Sequence, residues 1–156
     1  MKKFIILIAT HTFVGVIGFA IGIYTLPILM APKAPSPKEV YQQHNESRFE
    51  GQFRRDLKGS DFLHWGEGTV YVSRTAISLI GRLAPGPDYK LYLSPEYVET
   101  EADFIRQKPR MVYVGDVKTF DNFIVRLSDN IDPNEFNTVI VWCESFAQFI
   151  TAARYK

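Results

Sequence analysis

Near its end the chain reads Thr138-Val139-Ile140-Val141-Trp142-Cys143-Glu144-Ser145-Phe146, and this stretch decides the fold. It is rich in β-branched and aromatic residues and too short for a core helix, which predicts a strand buried on both faces. Side chains alternate along a strand, so three point to one face and two to the other: Val139, Val141 and Cys143 against Ile140 and Trp142. Cys143 therefore ends a core strand, and the polar pair after it forms a turn.

The sequence from Arg48 onward repeats this kind of element. Apolar residues recur with a period close to two, and turns rich in glycine or proline separate the runs. Short strands at such regular intervals are typical of an antiparallel sandwich or barrel. We predict an all-β domain, an antiparallel β-sandwich of about eight or nine short strands with minor helical turns, preceded by one N-terminal transmembrane helix.

Several local assignments follow from the same pattern. Phe62–Trp65 is predicted as a strand segment, and Gly66-x-Gly68 after it as a bulge or a tight approach between strands. Thr100 is predicted to cap a short helix. Met111–Val117 and Asn122–Leu127 are predicted as the two strands of one hairpin.

Charge and motif content limit the class of function. The 18 basic and 17 acidic residues give a formal net charge of +1, so the chain lacks the basic surface of a nucleic-acid-binding protein. No Gly-x-Ser-x-Gly, His-Glu-x-x-His or Cys-x-x-Cys pattern occurs, and the three histidines and one cysteine do not stand at ligand spacing. We predict no nucleic-acid partner, no metal cluster and no hydrolase or transferase activity, and at most a redox accessory.

Residues 1–30 form an apolar segment with a basic start. Lys2 and Lys3 precede a run without Asp, Glu, Lys or Arg that is longer than the roughly 20 residues a helix needs to cross the hydrocarbon. A cleaved signal peptide is the alternative, but its apolar region is usually about 7–15 residues long. Pro32 directly after Ala31 also suits cleavage poorly. We favour an uncleaved signal anchor.

The two lysines also predict the orientation. Basic residues favour the cytoplasmic side, so we expect a cytoplasmic N-terminus and an extracytoplasmic domain, either periplasmic or at the cell surface. If the segment is cleaved, the domain is secreted. Gly18 and Gly22 form a small-xxx-small pair that permits a weak homodimer contact between two such helices.

Residues 31–47 are predicted to be a proline-rich spacer, and residues 48–156 the β-sandwich domain. Three closely spaced prolines favour an extended stalk that holds the domain off the bilayer and turns helical near Glu39–His44. Asn45-Glu46-Ser47 fits the N-glycosylation pattern, which matters only in a cell with that machinery.

Several pieces of the domain fall in the order of a known family. They are Gly51, His64-Trp65-Gly66-Glu67-Gly68-Thr69-Val70, Gly86-Pro87-Asp88-Tyr89-Lys90-Leu91-Tyr92-Leu93, Val114-Gly115-Asp116-Val117, Phe136, Val141-Trp142-Cys143, Phe146 and Ala152. Through them the chain resembles the DM13 domain family from Phe49 to Tyr155. The resemblance implies an extracytoplasmic β-sandwich of cell-surface electron-transfer systems. It also implies that the near-terminal cysteine acts as a bare thiol or as a ligand to a prosthetic group such as haem.

Cys143 occupies the position of that cysteine, and His64 stands where the family often has a histidine ahead of a glycine. Cys143 is thus the candidate redox thiol or ligand, and His64 the second candidate for binding a cofactor. The competing interpretations are a small buried hydrophobe for Cys143 and a loop-bonding residue for His64. A redox role requires partial exposure and either a cation or an iron near the sulfur. Arg126, His64 and Arg154 are the candidate neighbours.

Two functions remain open from the sequence. The first is a membrane-tethered redox or electron-transfer module that works with a redox partner protein. The second is a non-catalytic binding or adaptor domain of the cell envelope, in which the buried cysteine is purely structural. The two differ in what surrounds the sulfur of Cys143, because an unpaired thiol outside the cytoplasm is exposed to oxidation.

Overall fold

Eight strands build two sheets in the computed structural model, which describes residues 1–44 and 47–156. The strands are β1 (Ser47–Phe53), β2 (Gly66–Ser73), β3 (Ala76–Leu83), β4 (Tyr89–Ser94), β5 (Val112–Val117), β6 (Phe123–Arg126), β7 (Thr138–Cys143) and β8 (Gln148–Arg154). One sheet has the order β1-β2-β3-β6 and the other β5-β4-β7-β8, and every pair is antiparallel. The predicted antiparallel β-sandwich is confirmed.

Among the described residues, helical structure is limited to the long N-terminal helix, two short α-helices and two 3₁₀ turns. The α-helices are α1 (Lys2–Met30), α2 (Pro37–His44) and α3 (Glu101–Gln107), and 3₁₀ turns cover Lys108–Arg110 and Pro133–Glu135. Thr100 caps α3 as predicted, because its hydroxyl accepts a hydrogen bond from the backbone N–H of Asp103 at 3.2 Å.

Strand β7 separates two hydrophobic clusters. All six of its residues are buried. Val139, Val141 and Cys143 face the main core between the sheets, whereas Ile140 and Trp142 face a second cluster that α3 covers. The alternation predicted from the sequence is confirmed. Burial of each large apolar side chain contributes about 1.5–3 kcal/mol, so this strand anchors both clusters.

The predicted hairpin of Met111–Val117 and Asn122–Leu127 is wrong. Both segments form strands, but β5 pairs with β4 and β6 pairs with β3, so the chain crosses from one sheet to the other between them. Alternating hydrophobicity indicates a strand and its buried face, but it carries no information about the partner strand.

The predicted strand at Phe62–Trp65 is also wrong, since these residues form a loop. The carboxylate of Asp61 accepts hydrogen bonds from the backbone N–H groups of Leu63 at 2.7 Å and His64 at 2.8 Å, which folds the chain back locally. The tight approach predicted at Gly68 is confirmed. Its φ is 125°, and a Cβ there would lie 2.3 Å from the Ile80 carbonyl oxygen.

Part of the spacer lies on the domain. Val40 of α2 is fully buried against the first sheet, and the side-chain amide of Asn122 donates a hydrogen bond to the Pro35 carbonyl at 3.1 Å. The spacer is therefore not an extended stalk over its whole length. Asn45 and Glu46 lie outside the described residues, so the glycosylation pattern stays a prediction.

Helix α1 is long and apolar enough to cross a membrane, and the same features fit a signal sequence. Its most apolar part is not buried inside the protein. Toward its end, Ile23 and Pro27 are half-buried beside the β-sandwich. Apart from the neighbouring residues and backbone of α1 itself, no atom of the described residues lies within 4 Å of the positions where Cβ atoms of Gly18 and Gly22 would be, and the role of these glycines in a homodimer stays a prediction.

Candidate functional site

The sulfur of Cys143 lies between the two sheets at the end of β7. In the register of the second sheet, Cys143 is opposite Tyr89 of β4 on one side and Gln148 of β8 on the other. Cys143 is 2% exposed and belongs to the main core, so it lacks the partial exposure that was expected of a redox thiol. Two neighbouring strands thus fix the position of the thiol.

The turn after Cys143 is tied to the loop that precedes β4. The backbone N–H of Glu144 donates to the Asp88 carbonyl at 3.0 Å, and the Ser145 hydroxyl donates to the Asp88 carboxylate at 3.1 Å. Ala147 closes the turn with a φ of 50°, a left-handed conformation that is uncommon for a residue with a Cβ. These bonds hold the strained turn against the end of β7.

Two opposing effects act on the pKa of the Cys143 thiol. Burial is the larger and raises the pKa, because a low-dielectric interior disfavours the thiolate. Hydrogen bonds from the backbone N–H groups of Phe146, Asp88 and Ser145 lower it in part. The thiol is therefore protonated at neutral pH, yet the backbone offers donors to any negative charge that develops on the sulfur.

A cleft of about 280 Å³ reaches Cys143 from this end of the sandwich. Its lining is mainly apolar and includes Leu63, His64, Tyr89 and Phe146 from the domain and Ala20, Ile23 and Tyr24 from α1. His64 and Cys143 lie far apart in the sequence, and in the structure both border one cleft. Their roles as ligand and redox residue stay predictions.

The ring of His64 is oriented by Asp61. Nδ1 of His64 lies 2.9 Å from Oδ2 of Asp61, and the other carboxylate oxygen accepts from the backbone of the same loop. Partial burial raises the pKa of Asp61, but the bonds from the His64 ring and from the backbone N–H groups of Leu63 and His64 outweigh it and leave that pKa below its usual value. An ionised Asp61 can accept a hydrogen bond only from Nδ1–H, and in the neutral tautomer that carries this proton the free lone pair is on Nε2.

Pro85, Gly86 and Pro87 form another wall of the cleft, a role that the sequence of this loop did not reveal. The Tyr89 hydroxyl donates to the Ala84 carbonyl at 2.8 Å, which lays the ring across Gly86. A Cβ on Gly86 would lie 2.4 Å from the Tyr89 hydroxyl oxygen, so only glycine fits there. The pattern alone indicates a turn. Its place beside Cys143 follows from the β4–β7 pairing, for which the sequence gives no signal.

The two arginines named as candidate neighbours of the sulfur do not border the cleft. Arg126 pairs with Ala76 at the opposite end of the first sheet. The guanidinium of Arg154 lies 5.1 Å from the ring centroid of Tyr97. No Lys or Arg is found among the described residues that line the cleft.

A haem fits this cleft in donor type but not in size or charge. Cysteine thiolate and histidine are both axial ligands that haem iron accepts. However, the volume of about 280 Å³ lies below the range of about 300–1,000 Å³ in which drug-sized ligands bind, and a haem is larger still. The lining described above also offers no cation to the haem carboxylates. The residues of this cleft therefore do not fit a haem.

A protein-family model described as "Electron transfer DM13" matches residues 52–155, which is more than half of the chain. The match begins near the end of β1, covers the other seven strands of the sandwich and includes both Cys143 and His64. No curated protein and no solved structure matches the chain.

Proposed function

Because the chain belongs to the DM13 family of electron-transfer domains, we propose that it is a membrane-tethered redox module with Cys143 as its redox group. Helix α1 is the tether, and the domain lies on the extracytoplasmic side of the membrane. His64 is the partner of Cys143 in proton transfer. The module exchanges electrons with a redox partner protein or a small reactant.

The observation that carries this proposal is the cleft that Cys143 and His64 share. A cysteine that merely fills space needs no route to its sulfur. Here a cleft borders Cys143, and backbone N–H groups of the adjoining turns partly offset the rise in the pKa of its thiol. Both features favour a reaction at the sulfur.

The raised pKa of Cys143 defines what His64 must do. A protonated thiol reacts slowly, because the thiolate is the nucleophile. Oxidation of Cys143 therefore requires a base. His64, among the described residues that line the cleft, is the candidate. Nε2 of His64 is unprotonated when Asp61 holds the proton on Nδ1. His64 accepts the thiol proton, and the N–H groups of Phe146, Asp88 and Ser145 stabilise the thiolate.

The test is the oxidation of the single thiol in the full chain by hydrogen peroxide, followed as sulfenic acid trapped with dimedone. We expect the folded chain to react and Cys143→Ser to be inert. His64→Gln should slow the reaction by about 10²-fold, the effect of losing a general base. His11→Gln, a histidine variant in α1 away from the cleft lining, is the matched control and should react as the wild type does.

The alternative, a binding domain with a structural cysteine, predicts the opposite pattern. The folded chain would then resist peroxide, and the thiol would react only after unfolding. An unchanged rate in His64→Gln would remove His64 from the mechanism and leave Cys143 as the redox group alone.

A further inference from the structure

The mouth of the Cys143 cleft carries large apolar side chains that are exposed. Phe62 is 85% exposed, Leu63 41% and Phe146 50%. Leu63 and Phe146 line the cleft, and Phe62 directly precedes Leu63. We call these three residues the apolar rim. Clustered apolar side chains on a surface usually mark an interaction site.

Two hydrogen-bonded turns hold the apolar rim in place. Asp61 accepts two backbone hydrogen bonds and one from the His64 ring, and these fix the loop that carries Phe62 and Leu63. Phe146 precedes Ala147, whose left-handed backbone closes the turn after β7. The apolar side chains are thus presented at the surface by ordered loops.

The part of α1 that lies beside the apolar rim is at a defined distance from the start of the helix. Ala20, Ile23 and Tyr24 line the same cleft as Leu63 and Phe146. At about 1.5 Å per residue, the part of α1 that precedes Ala20 is about 27 Å long. The hydrocarbon core of a bilayer is about 30 Å thick. The rim therefore lies where α1 would leave the hydrocarbon, and Tyr24 lies at the level of the interface, where aromatic residues are enriched.

We propose that the apolar rim docks on the lipid bilayer that holds α1, so that the Cys143 cleft opens at the membrane interface. This inference rests on the membrane tether of the proposed function. Phe62, Leu63 and Phe146 insert beside the helix, in continuity with its apolar surface. A cleft that opens there admits a small apolar reactant from the lipid and excludes a charged one from the water.

The experiment places a fluorescent NBD label at single cysteines in the full-length Cys143→Ser chain in phosphatidylcholine vesicles. The labelled variants are Phe62→Cys and Phe146→Cys. Ser128→Cys is the matched control, since this exposed residue lies just beyond β6 at the opposite end of the sandwich. We expect blue-shifted, several-fold brighter emission at 62 and 146 and quenching there by spin-labelled lipid. The label at position 128 should show the weaker, unshifted emission of an aqueous environment.

Water-like emission at all three positions would overturn the docking. Alkaline carbonate extraction separates this result from failure of the tether. A chain that stays in the vesicles with water-exposed labels loses only the docking, whereas a chain that is washed off loses the tether and the docking with it.

A second measurement uses the unmodified chain and needs no variant to fold. In vesicles, Cys143 should react with the apolar reagent N-ethylmaleimide and be protected from a charged methanethiosulfonate. In a detergent that removes the bilayer, the protection from the charged reagent should fall several-fold. Equal protection in vesicles and in detergent would contradict the docking.

Discussion

Adjacent residues of β7 show what burial alone does not reveal. Cys143 and Trp142 are each 2% exposed, and they point to opposite faces of the same strand. The Trp142 ring is stacked on Phe104 with a centroid distance of 3.9 Å and an interplanar angle of 9°, under α3. Cys143 instead borders a cleft, where nearby backbone N–H groups partly offset the rise in the pKa of its thiol. Equal exposure thus conceals a packing residue and a candidate reaction centre.

On the Trp142 face the buried indole Nε1 of Trp142 has no hydrogen-bond partner among the described residues, and other polar groups lie at the edge of this face, where they are bonded to one another. The carboxylate of Glu144 accepts hydrogen bonds from the Tyr92 hydroxyl and from Lys108, whose Nζ lies 2.8 Å and 3.0 Å from its two oxygens. The Tyr92 ring packs edge-on against Phe104 at 5.2 Å. This face is therefore built for stability, whereas on the opposite face Val139 and Val141 lie in the main core and Cys143, at the end of the strand, borders the cleft.

The largest effect should come from the packed face. Phe104→Ala removes the ring that stacks on Trp142 and leaves a cavity, so we expect a loss of about 3–5 kcal/mol in the free energy of unfolding. Urea unfolding measures it. Phe62→Ala, which removes an exposed ring, is the control and should stay within about 0.5 kcal/mol of wild type. A loss below about 1 kcal/mol in Phe104→Ala would mean that this face is as open as the cleft.

A smaller, pH-dependent loss is expected for Glu144→Gln. Partial burial raises the pKa of Glu144, but hydrogen bonds from Lys108 and Tyr92 outweigh it and leave the folded-state pKa below the usual value. Stability from such a carboxylate is complete above the unfolded pKa of about 4.3 and is lost as the pH falls through the lowered folded pKa. We expect a loss of about 1–2 kcal/mol at pH 7, limited because Lys108 is partly exposed to solvent.

Urea unfolding of wild type and Glu144→Gln from pH 7 to pH 2.5 checks this sign. The difference between the two should shrink to near zero at the acid end. If it grew toward acid, Glu144 would be protonated in the folded state and could not pair with Lys108.

Cys143→Ser should cost about 1 kcal/mol of unfolding free energy, less than either change on the Trp142 side. The backbone N–H groups that contact the sulfur can bond to the new hydroxyl, which offsets part of its burial. Cys143→Ala serves as the comparison that removes the acceptor altogether. A loss above about 3 kcal/mol in both variants would show that Cys143 serves mainly as a packing residue of the core, and it would weaken the proposed redox role.

The smallest change in unfolding free energy is expected for Asp61→Asn, although this variant should strongly slow the oxidation of Cys143. The amide oxygen of Asn can keep the backbone bonds of the loop, so we expect a change below about 0.5 kcal/mol. The amide N–H would donate to Nδ1 of His64 and move the ring proton to Nε2. Peroxide oxidation of Cys143 should then slow by about 10–100-fold, the usual effect of disturbing the group that orients a functional histidine. An unchanged rate would show that the tautomer of His64 does not matter.

The sequence predicts the faces of β7 well, because side-chain alternation is a property of the strand itself. Local signals also sufficed for the cap at Thr100 and the tight approach at Gly68. The predicted partner of β5 was wrong, since strand pairing depends on contacts between distant segments. The same limit applies to the candidate site. The cleft joins the His64 loop, the Gly86 loop, the turn after Cys143 and helix α1, and no local pattern predicts that four segments meet.

The path between α1 and the domain is short. Helix α1 ends at Met30, and the chain is already bonded to the domain at Pro35. Five residues span at most about 17 Å, so the sandwich stays within that reach of the end of α1. If α1 is the membrane tether that we propose, the domain is held close to the bilayer, and a redox partner has to reach it there.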